Sequence, residues 1–195
     1  MNRLEKSNHH PSARLVIQGV KGSYSFMAAK KIIEKRHLSC GELVFARSFD
    51  EAFSWLDEGK AAYAVLPYKN TLVGPVTTVY SRLSCYRLWE TISLPINHCL
   101  ATVFSCSSPN QLRKVYSHPV ALAQCRGLFK KYPHFQPCSF EDTAAAAAWV
   151  ARKSSPSLGA ICSEEAARIF KLQPLLKRVQ DRKDNRTFFA LISLF

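Results

Sequence analysis

The sequence lacks the hallmarks of several common protein classes. No apolar stretch reaches the length of a membrane span, and the first fourteen residues hold no apolar run of the kind found in signal peptides. The cysteines form no Cys-x-x-Cys pair and no zinc-like spacing with the six histidines. A Walker loop and a strand-linked Gly-x-Gly-x-x-Gly motif are also missing. We therefore expect neither a membrane protein nor a metal site, and no cofactor.

What the sequence does have is an excess of positive charge. Among its 195 residues, 27 are Lys or Arg and 14 are Asp or Glu, a net charge of +13. Such a balance fits an anionic small molecule, a nucleic acid or an anionic surface. The densest basic region, residues 171–186, is interrupted by Gln, Leu, Pro and two aspartates. We interpret the excess as solvated basic faces and do not expect nucleic-acid binding.

The seven cysteines are an odd number, and most stand in apolar surroundings, as in His98-Cys99-Leu100. Buried thiols of this kind are typical of a reducing compartment. Together with the missing apolar leader, they predict a cytoplasmic protein.

The order of predicted elements is that of an α/β protein. Residues 14–18 form a buried strand, which a tight turn joins to a helix over residues 24–36. This strand–turn–helix order then recurs along the chain. Further strands are expected at about 62–66, 88–104, 114–116, 135–140 and 159–162, a loop at 67–74, and further helices at about 49–56, 75–85, 119–132, 144–153 and 164–171.

Small hydroxyl or amide residues stand where predicted strands run into helices. They are Ser23, Asn70 with Thr71, Ser117, Ser163 and, at a fifth helix, Asp142 with Thr143. Each alone is an ordinary helix cap. Helix N-termini offer unpaired N–H groups and a positive dipole end, and in α/β sheets they gather at the carboxyl edge of the strands. Together, in a basic protein, they predict a cleft for a small polyanion.

The last eleven residues combine a polar turn with an aromatic strand. Asn185 and Arg186 precede Thr187, after which the chain is almost wholly apolar. Because successive strand side chains point to opposite faces, Thr187 lies on one face while Arg186 and Phe188 share the other. The pattern predicts one small acid/base group at the mouth of a cleft.

Several motifs, in order from residue 15 onward, resemble those of the prephenate dehydratase family. They are residues 19–25 with 28–29, residues 65–67 with 70–71, 74 and 76, residues 98–100, residues 115–119 with 124–125, residues 143–144, residues 163–164 with 166–167, and Asn185, Thr187 and Phe189. The spacing is also roughly that of the family, so the match is specific.

The resemblance implies a fold and a reaction. The fold is a pair of α/β lobes similar to type II periplasmic binding proteins, with the active site in the cleft between them. We expect a polar tail over residues 1–13 and a domain over 14–195, with one lobe of about 14–93 plus 180–195 and the other of about 94–179. The reaction removes carbon dioxide and water from prephenate to give phenylpyruvate, in phenylalanine biosynthesis. A homodimer is one possible assembly.

The resemblance also implies roles for individual residues. Thr187 takes the place of the family's catalytic acid, which protonates the departing ring hydroxyl. The residues expected to bind substrate are Ser23, Asn70, Thr71, Ser117, Thr143, Asn185, Arg186 and Phe189.

Three positions depart from the family pattern. Phe188 replaces the Arg that follows the catalytic Thr, Lys69 replaces a Glu, and Val120 replaces a Gln. The first change removes a bidentate carboxylate partner or an ion pair, and the second reverses a charge. Arg186 is a candidate replacement cation, because it shares a strand face with Phe188, and Lys69 is another.

The departures leave alternatives open. The chain can be a relative that binds an aromatic carboxylate without turnover, or an arogenate dehydratase, and a basic nucleic-acid binder is a weaker third hypothesis. The resemblance covers the catalytic domain only. We therefore expect no phenylalanine feedback through an ACT-type domain and no fused chorismate mutase.

Overall fold

The structure is a computed structural model that describes residues 13–195. The polar tail predicted for residues 1–13 lies outside them, apart from Ala13, which begins the first strand. The strands are β1 Ala13–Gln18, β2 Cys40–Ala46, β3 Tyr63–Asn70, β4 Gly74–Pro75, β5 Arg87–Pro95, β6 Cys99–Thr102, β7 Lys114–Ser117, β8 Gln136–Ser139, β9 Leu158–Cys162, β10 Gln173–Lys177 and β11 Arg186–Ser193. The helices are α1 Tyr24–Arg36, α2 Phe49–Asp57, α3 Thr77–Tyr80, α4 Pro119–Ala123, α5 Arg126–Lys131, α6 Thr143–Lys153 and α7 Glu164–Ile169.

The strands form two mixed sheets, one in each of two lobes. The first sheet has the order β2-β1-β3-β11-β5, with β4 paired to β3, and the second has the order β10-β6-β9-β7-β8. Helices pack on both sheets, so the two-lobed α/β architecture implied by the resemblance is confirmed. The chain passes between the lobes twice, once between β5 and β6 and again between β10 and β11.

The last strand, β11, is central to the first sheet. It runs antiparallel to both β3 and β5, with Thr187 opposite Asn70 on one side and opposite Leu94 on the other. Residues 189–192 are almost fully buried, because this strand has a neighbour on each side and helices on its faces. The start of β11 therefore lies where the second connection between the lobes enters the first sheet.

Local capping explains where the helices that flank the cleft begin. The Ser23 hydroxyl accepts from the backbone N–H of Phe26 at the start of α1. Asp142 accepts from the N–H groups of Ala144 and Ala145 at the start of α6. Each bond satisfies donors that a helix leaves unpaired at its first turn, a contribution of about 1 kcal/mol per cap.

Each lobe has its own apolar core. In the first, α2 buries Phe53 and Leu56 completely against β1 and β3, as its spacing of apolar residues predicts. In the second, Ala146, Ala147 and Val150 of α6 pack on β6 and β9. Full burial of a side chain such as Leu56 contributes about 1.5–3 kcal/mol.

The structure corrects the predicted first lobe in two places. Residues 67–70 continue β3 instead of forming a loop, because β11 and β4 pair with them. Pro67 is tolerated there because it lies beside a β-bulge: Tyr68 has no partner on β11, which pairs with Lys69 and then with Pro67. Pro75 opens no long helix; it lies in β4, and only the short α3 follows before a single 3-10 turn at Leu83–Cys85.

The predicted second lobe needs two corrections as well. The helix expected to reach residue 132 is broken into α4 and α5 at Cys125, whose backbone is not helical. The Asp181 carboxylate accepts from the N–H groups of Arg126 and Gly127 and thereby caps the N-terminus of α5 as a separate helix. Strand β10 was not predicted; it pairs with β6.

Of the helices between residues 13 and 195, none combines the length and apolar composition that a bilayer crossing needs.

Candidate functional site

A cleft with a cavity of about 190 Å³ lies between the lobes. Its first-lobe wall is formed by Ser23, Tyr24, Ser25, Pro67, Asn70, Thr187 and Phe189, and Ile96 lies at the crossing. Its second-lobe wall is formed by His98, His118, Val120, Ala121, Gln124, Asp142 and Thr143. These positions are the strand ends and helix starts at which α/β folds bind ligands.

Thr187 is held on the first-lobe wall by its cross-strand neighbour. The Nδ2 atom of Asn70 donates to the Thr187 Oγ1 atom at 2.9 Å. The orientation of the Asn70 amide is fixed, because its Oδ1 accepts from the N–H groups of Leu72 and Val73 at 2.9 and 3.1 Å. Thr187 is therefore an acceptor toward Asn70, and its own proton has no acceptor within residues 13–195. That proton is available to a ligand in the cleft.

A chain of amides links this hydroxyl to the other lobe. Asn70 Nδ2 also donates to Asn185 Oδ1 at 2.8 Å, and Asn185 Nδ2 donates to Gln124 Oε1 at 3.0 Å. Asn185 is only 1% exposed. Since the Asn70 orientation is fixed by backbone groups, the direction of each later bond follows from it, and Gln124 presents its NH₂ group on the cleft side.

His98 is a buried histidine on the second-lobe wall. Its ring packs edge-on against Tyr24 with ring centres 5.9 Å apart, and its backbone N–H donates to Gln180 Oε1 at 2.9 Å. Burial lowers the pKa of His98 to about 4, and the neighbouring Gln124 side chain opposes the decrease. The ring is therefore neutral at pH 7, and its Nδ1 atom has no hydrogen-bond partner in the described part of the chain.

Asp142 is the carboxylate of the cleft. Its Oδ1 atom accepts from Ala144 and Ala145 at 2.7 and 2.9 Å, so the side chain is fixed in position. Burial raises the pKa of Asp142, and the two N–H donors and nearby His118 oppose the increase. A Cβ atom added at Gly19 would lie 3.6 Å from the Asp142 Oδ2 atom, so this oxygen faces the Gly19–Ser23 turn of the opposite lobe.

The structure brings five of the nine predicted site residues to the cleft: Ser23, Asn70, Thr143, Thr187 and Phe189. Asn185 lies behind Asn70 and supports it. The other three side chains are bonded elsewhere. The Thr71 hydroxyl bonds the backbone of Asp184 and Arg186, and the buried Ser117 hydroxyl donates to Ile161 O at 2.6 Å. The Arg186 guanidinium donates to the Ser93 side chain and carbonyl.

Two of the predicted helix starts are also corrected. Asn70 and Thr71 end a strand that turns into β4, so no helix begins there. At the start of α4 the cap is His118 instead of Ser117, because the His118 Nδ1 atom accepts from the Val120 N–H at 3.2 Å. Ser23, Asp142 and Ser163 are side-chain caps as expected.

The two charge-changing departures from the family pattern lie outside the cleft and next to each other. Phe188 and Lys69 are direct cross-strand neighbours, and the Lys69 amine lies 5.9 Å from the centre of the Phe188 ring. Neither residue lines the cleft, whereas Val120, the third departure, does. The family's Glu and Arg at positions 69 and 188 would be cross-strand neighbours and could form an ion pair. In this chain a contact between the Lys69 amine and the Phe188 ring takes the place of that pair.

Sequence reasoning assigned no role to three polar residues on the cleft, His98, His118 and Gln124, and it expected Asp142 only at a helix start. All four stand in or beside the motifs that carry the resemblance, which was the available signal. Within residues 13–195, no group of three or more His, Cys, Asp and Glu side chains is arranged to hold a metal ion. The side chains that line the cleft offer hydrogen bonding, proton donation and charge.

Comparison with known proteins identifies the family. A family profile described as prephenate dehydratase matches residues 15–194. The chain is 32% identical over 198 residues to the bifunctional chorismate mutase/prephenate dehydratase of Enterobacter agglomerans, covering 97% of this chain and 50% of that protein. It is 35% identical over 195 residues to arogenate dehydratase/prephenate dehydratase 2 of Arabidopsis thaliana, covering 98% and 49%. The chain thus spans about half the length of the curated relatives it matches.

A solved structure confirms the fold. The prephenate dehydratase from Arthrobacter aurescens, solved in complex with L-Phe, superposes with a TM-score of 0.82 at 21% identity, over 94% of this chain and 61% of that one. The chain belongs to the prephenate dehydratase family.

Proposed function

We propose that residues 14–195 form a dehydratase domain that converts prephenate to phenylpyruvate, with Thr187 as the general acid. One lobe would comprise about residues 14–93 and 180–195, and the other about 94–179. The observation that carries this proposal is the hydrogen bond from Asn70 to the Thr187 hydroxyl, because it leaves the proton of this cleft-lining hydroxyl free to bond a ligand. The family profile supports the same reaction.

The chemistry needs few groups. The electrons of the bond to the departing carboxylate move into the ring, the bond from the ring to its hydroxyl breaks, and Thr187 supplies the proton that makes water of that hydroxyl. Carbon dioxide, water and an aromatic product result. As Thr187 loses its proton, the N–H of Asn70 stabilises the negative charge on Oγ1, and solvent then restores the proton.

Binding of the substrate falls to the remaining groups on the cleft. Ser23 and Thr143 bring hydroxyls to the starts of α1 and α6, where each can donate a hydrogen bond to a substrate oxygen. Phe189 offers an apolar surface for the ring. Asn185 would act through Asn70, while Thr71, Ser117 and Arg186 would support the fold around the site.

An ultraviolet assay for phenylpyruvate tests the proposal. Thr187→Val keeps the shape of the side chain and removes the proton, so we expect kcat for prephenate to fall about 10²–10⁴-fold. Thr187→Ser keeps a hydroxyl and should retain most of the rate. A wild type without turnover, or Thr187→Val as active as wild type, would overturn the assignment.

Two other functions make different predictions. A protein that only binds an aromatic carboxylate would be stabilised by prephenate or phenylpyruvate without turnover, since a ligand of the native state raises its stability. An arogenate dehydratase would release L-phenylalanine from arogenate, and the name of the Arabidopsis relative gives this candidate a specific basis. The cytoplasmic location and the homodimer stay predictions; sedimentation analysis tests the second.

A further inference from the structure

The cleft has an unusual inventory of charge for a site that would take a dianion. Among the described residues that line it, Asp142 is the one carboxylate, and there is no Lys or Arg. His98 is held neutral at pH 7 by its burial, as its lowered pKa shows. The imidazole of His118 also lines the cleft and lies near Asp142. The Lys and Arg side chains of the described residues therefore lie outside this lining, and Asp142 supplies its one negative side-chain charge.

Asp142 has one oxygen to offer a ligand. Both backbone N–H groups bond Oδ1, and Oδ2 has no hydrogen-bond partner between residues 13 and 195. The two bonds to Oδ1 fix the direction of Oδ2 toward the turn of the opposite lobe that carries Ser23. A carboxylate that is fixed and partly shielded from water interacts strongly with a charge a few ångströms away.

We infer that Asp142 selects the ammonium-bearing form of the cyclohexadienyl substrate over the keto form. This inference rests on the proposed dehydratase chemistry with Thr187 as the general acid, and it ranks arogenate above prephenate as the substrate. The two forms share the ring, its carboxylate and its hydroxyl, and they differ at one carbon of the side chain, which carries an ammonium in arogenate and a keto oxygen in prephenate. The free Oδ2 atom would pair with the ammonium, whereas it has no favourable partner on the keto form and repels the substrate carboxylates.

The division of labour in the cleft supports this assignment. Thr187 and Asn70 belong to the first-lobe wall. In the proposed reaction Thr187 donates its proton to the ring hydroxyl, which both substrate forms possess. Asp142 belongs to the second-lobe wall, where His98 adds a buried ring nitrogen without a partner in the described residues. Two polar groups with unused hydrogen-bonding capacity thus lie on the wall that would receive the substrate side chain.

The capping role of Asp142 can be separated from its charge. Asparagine caps helices as well as aspartate does, so Asp142→Asn keeps an oxygen for the N–H groups of Ala144 and Ala145 while it removes the charge. Glu141→Gln is the matched control, because it removes the same charge from the neighbouring exposed residue, which does not line the cleft.

The test is the ratio of kcat/KM for arogenate to kcat/KM for prephenate. We expect wild type to prefer arogenate, and Asp142→Asn to lower the ratio by about 10–100-fold, the scale of one charge contact. Glu141→Gln should leave the ratio unchanged. An unchanged ratio in Asp142→Asn, or a wild type that prefers prephenate, would overturn the inference while leaving the dehydratase function intact.

If neither substrate is turned over, the proposed function fails and binding decides the inference. Wild type should then be stabilised against thermal unfolding more by L-phenylalanine than by phenylpyruvate, and Asp142→Asn should lose this difference. Equal stabilisation by the two ligands, or none by L-phenylalanine, would overturn the role of Asp142.

Discussion

The two walls of the cleft are built from different chemistry. The first-lobe wall presents Thr187 and Asn70, a hydroxyl and an amide locked by strand pairing and by a turn, and neither titrates near neutral pH. The second-lobe wall presents His98 and Asp142, two titratable groups whose pKa values are shifted by burial. Under the two proposals above, the first wall would set the rate of the reaction and the second would decide which ligand is held.

After Thr187→Val, the largest effect should come from Asn70→Ala, also on the first wall. The change removes the hydrogen bond to Thr187, so we expect kcat to fall about 10²-fold, as when a donor to a developing oxyanion is lost. Stability should fall by about 1–3 kcal/mol, because the turn N–H groups and Asn185 lose a partner. Assays of kcat and urea unfolding measure both.

Asn110→Ala is the matched control, since it makes the same change at an exposed position away from the cleft. An Asn70→Ala enzyme with the kcat of wild type would show that Asn70 does not act on Thr187. It would contradict the claim that the first-lobe wall sets the rate.

The second prediction concerns the titration of His98. Its pKa of about 4 lies below the ordinary value of 6.5, so between these values the unfolded chain binds a proton that the folded protein does not. Above pH 6.5, His98 is neutral in both the folded and the unfolded chain, and its burial costs no stability. As the pH falls toward 4, protonation of the unfolded chain lowers the free energy of unfolding. We expect the free energy of unfolding to drop by about 2 kcal/mol from pH 7 to pH 5 through this residue.

Urea unfolding at the two pH values measures this effect. His98→Phe should show the smaller pH dependence, while His37→Asn, at an exposed left-handed position that suits Asn, should behave as wild type does. If His98→Phe and wild type lose the same free energy between pH 7 and pH 5, then His98 is not held neutral by the fold.

The smallest effect should come from the family-like double change Lys69→Glu with Phe188→Arg. Both residues lie outside the cleft, on the face of the strands opposite Thr187, so we expect kcat to change by less than about threefold. An ion pair between the exposed position 69 and the half-buried position 188 contributes about 0–1 kcal/mol to stability. The single changes serve as controls, and a tenfold gain in kcat for the double variant would show that the missing Arg belongs to the site.

How far the sequence predicts this site depends on the range of the interactions. The alternation of side chains along β11 was enough to place Thr187 and Phe189 on one face and Arg186 on the other. The partner of Arg186 was not predictable, because Ser93 lies on β5 and its pairing with β11 is not encoded locally. A long side chain can reach in several directions, and tertiary structure chooses one.

Ser117 illustrates the same limit. A serine before His-Pro is a common helix cap, yet β7 and β9 lie side by side and bring Ile161 O within reach of its hydroxyl, so His118 becomes the cap. Residues 67–70 likewise carry turn signals, and the pairing with β11 overrides them. Helices capped by their own neighbours, such as α1 and α6, were predicted to within a residue or two, since every partner is close in sequence.

The most direct test of the division between the walls compares Thr187→Val and Asp142→Asn on both substrates in one series of kcat/KM measurements. We predict that Thr187→Val lowers the values for prephenate and arogenate by the same factor and leaves their ratio unchanged. Asp142→Asn should change the ratio. A ratio that shifts in Thr187→Val, together with equal losses for both substrates in Asp142→Asn, would contradict the account.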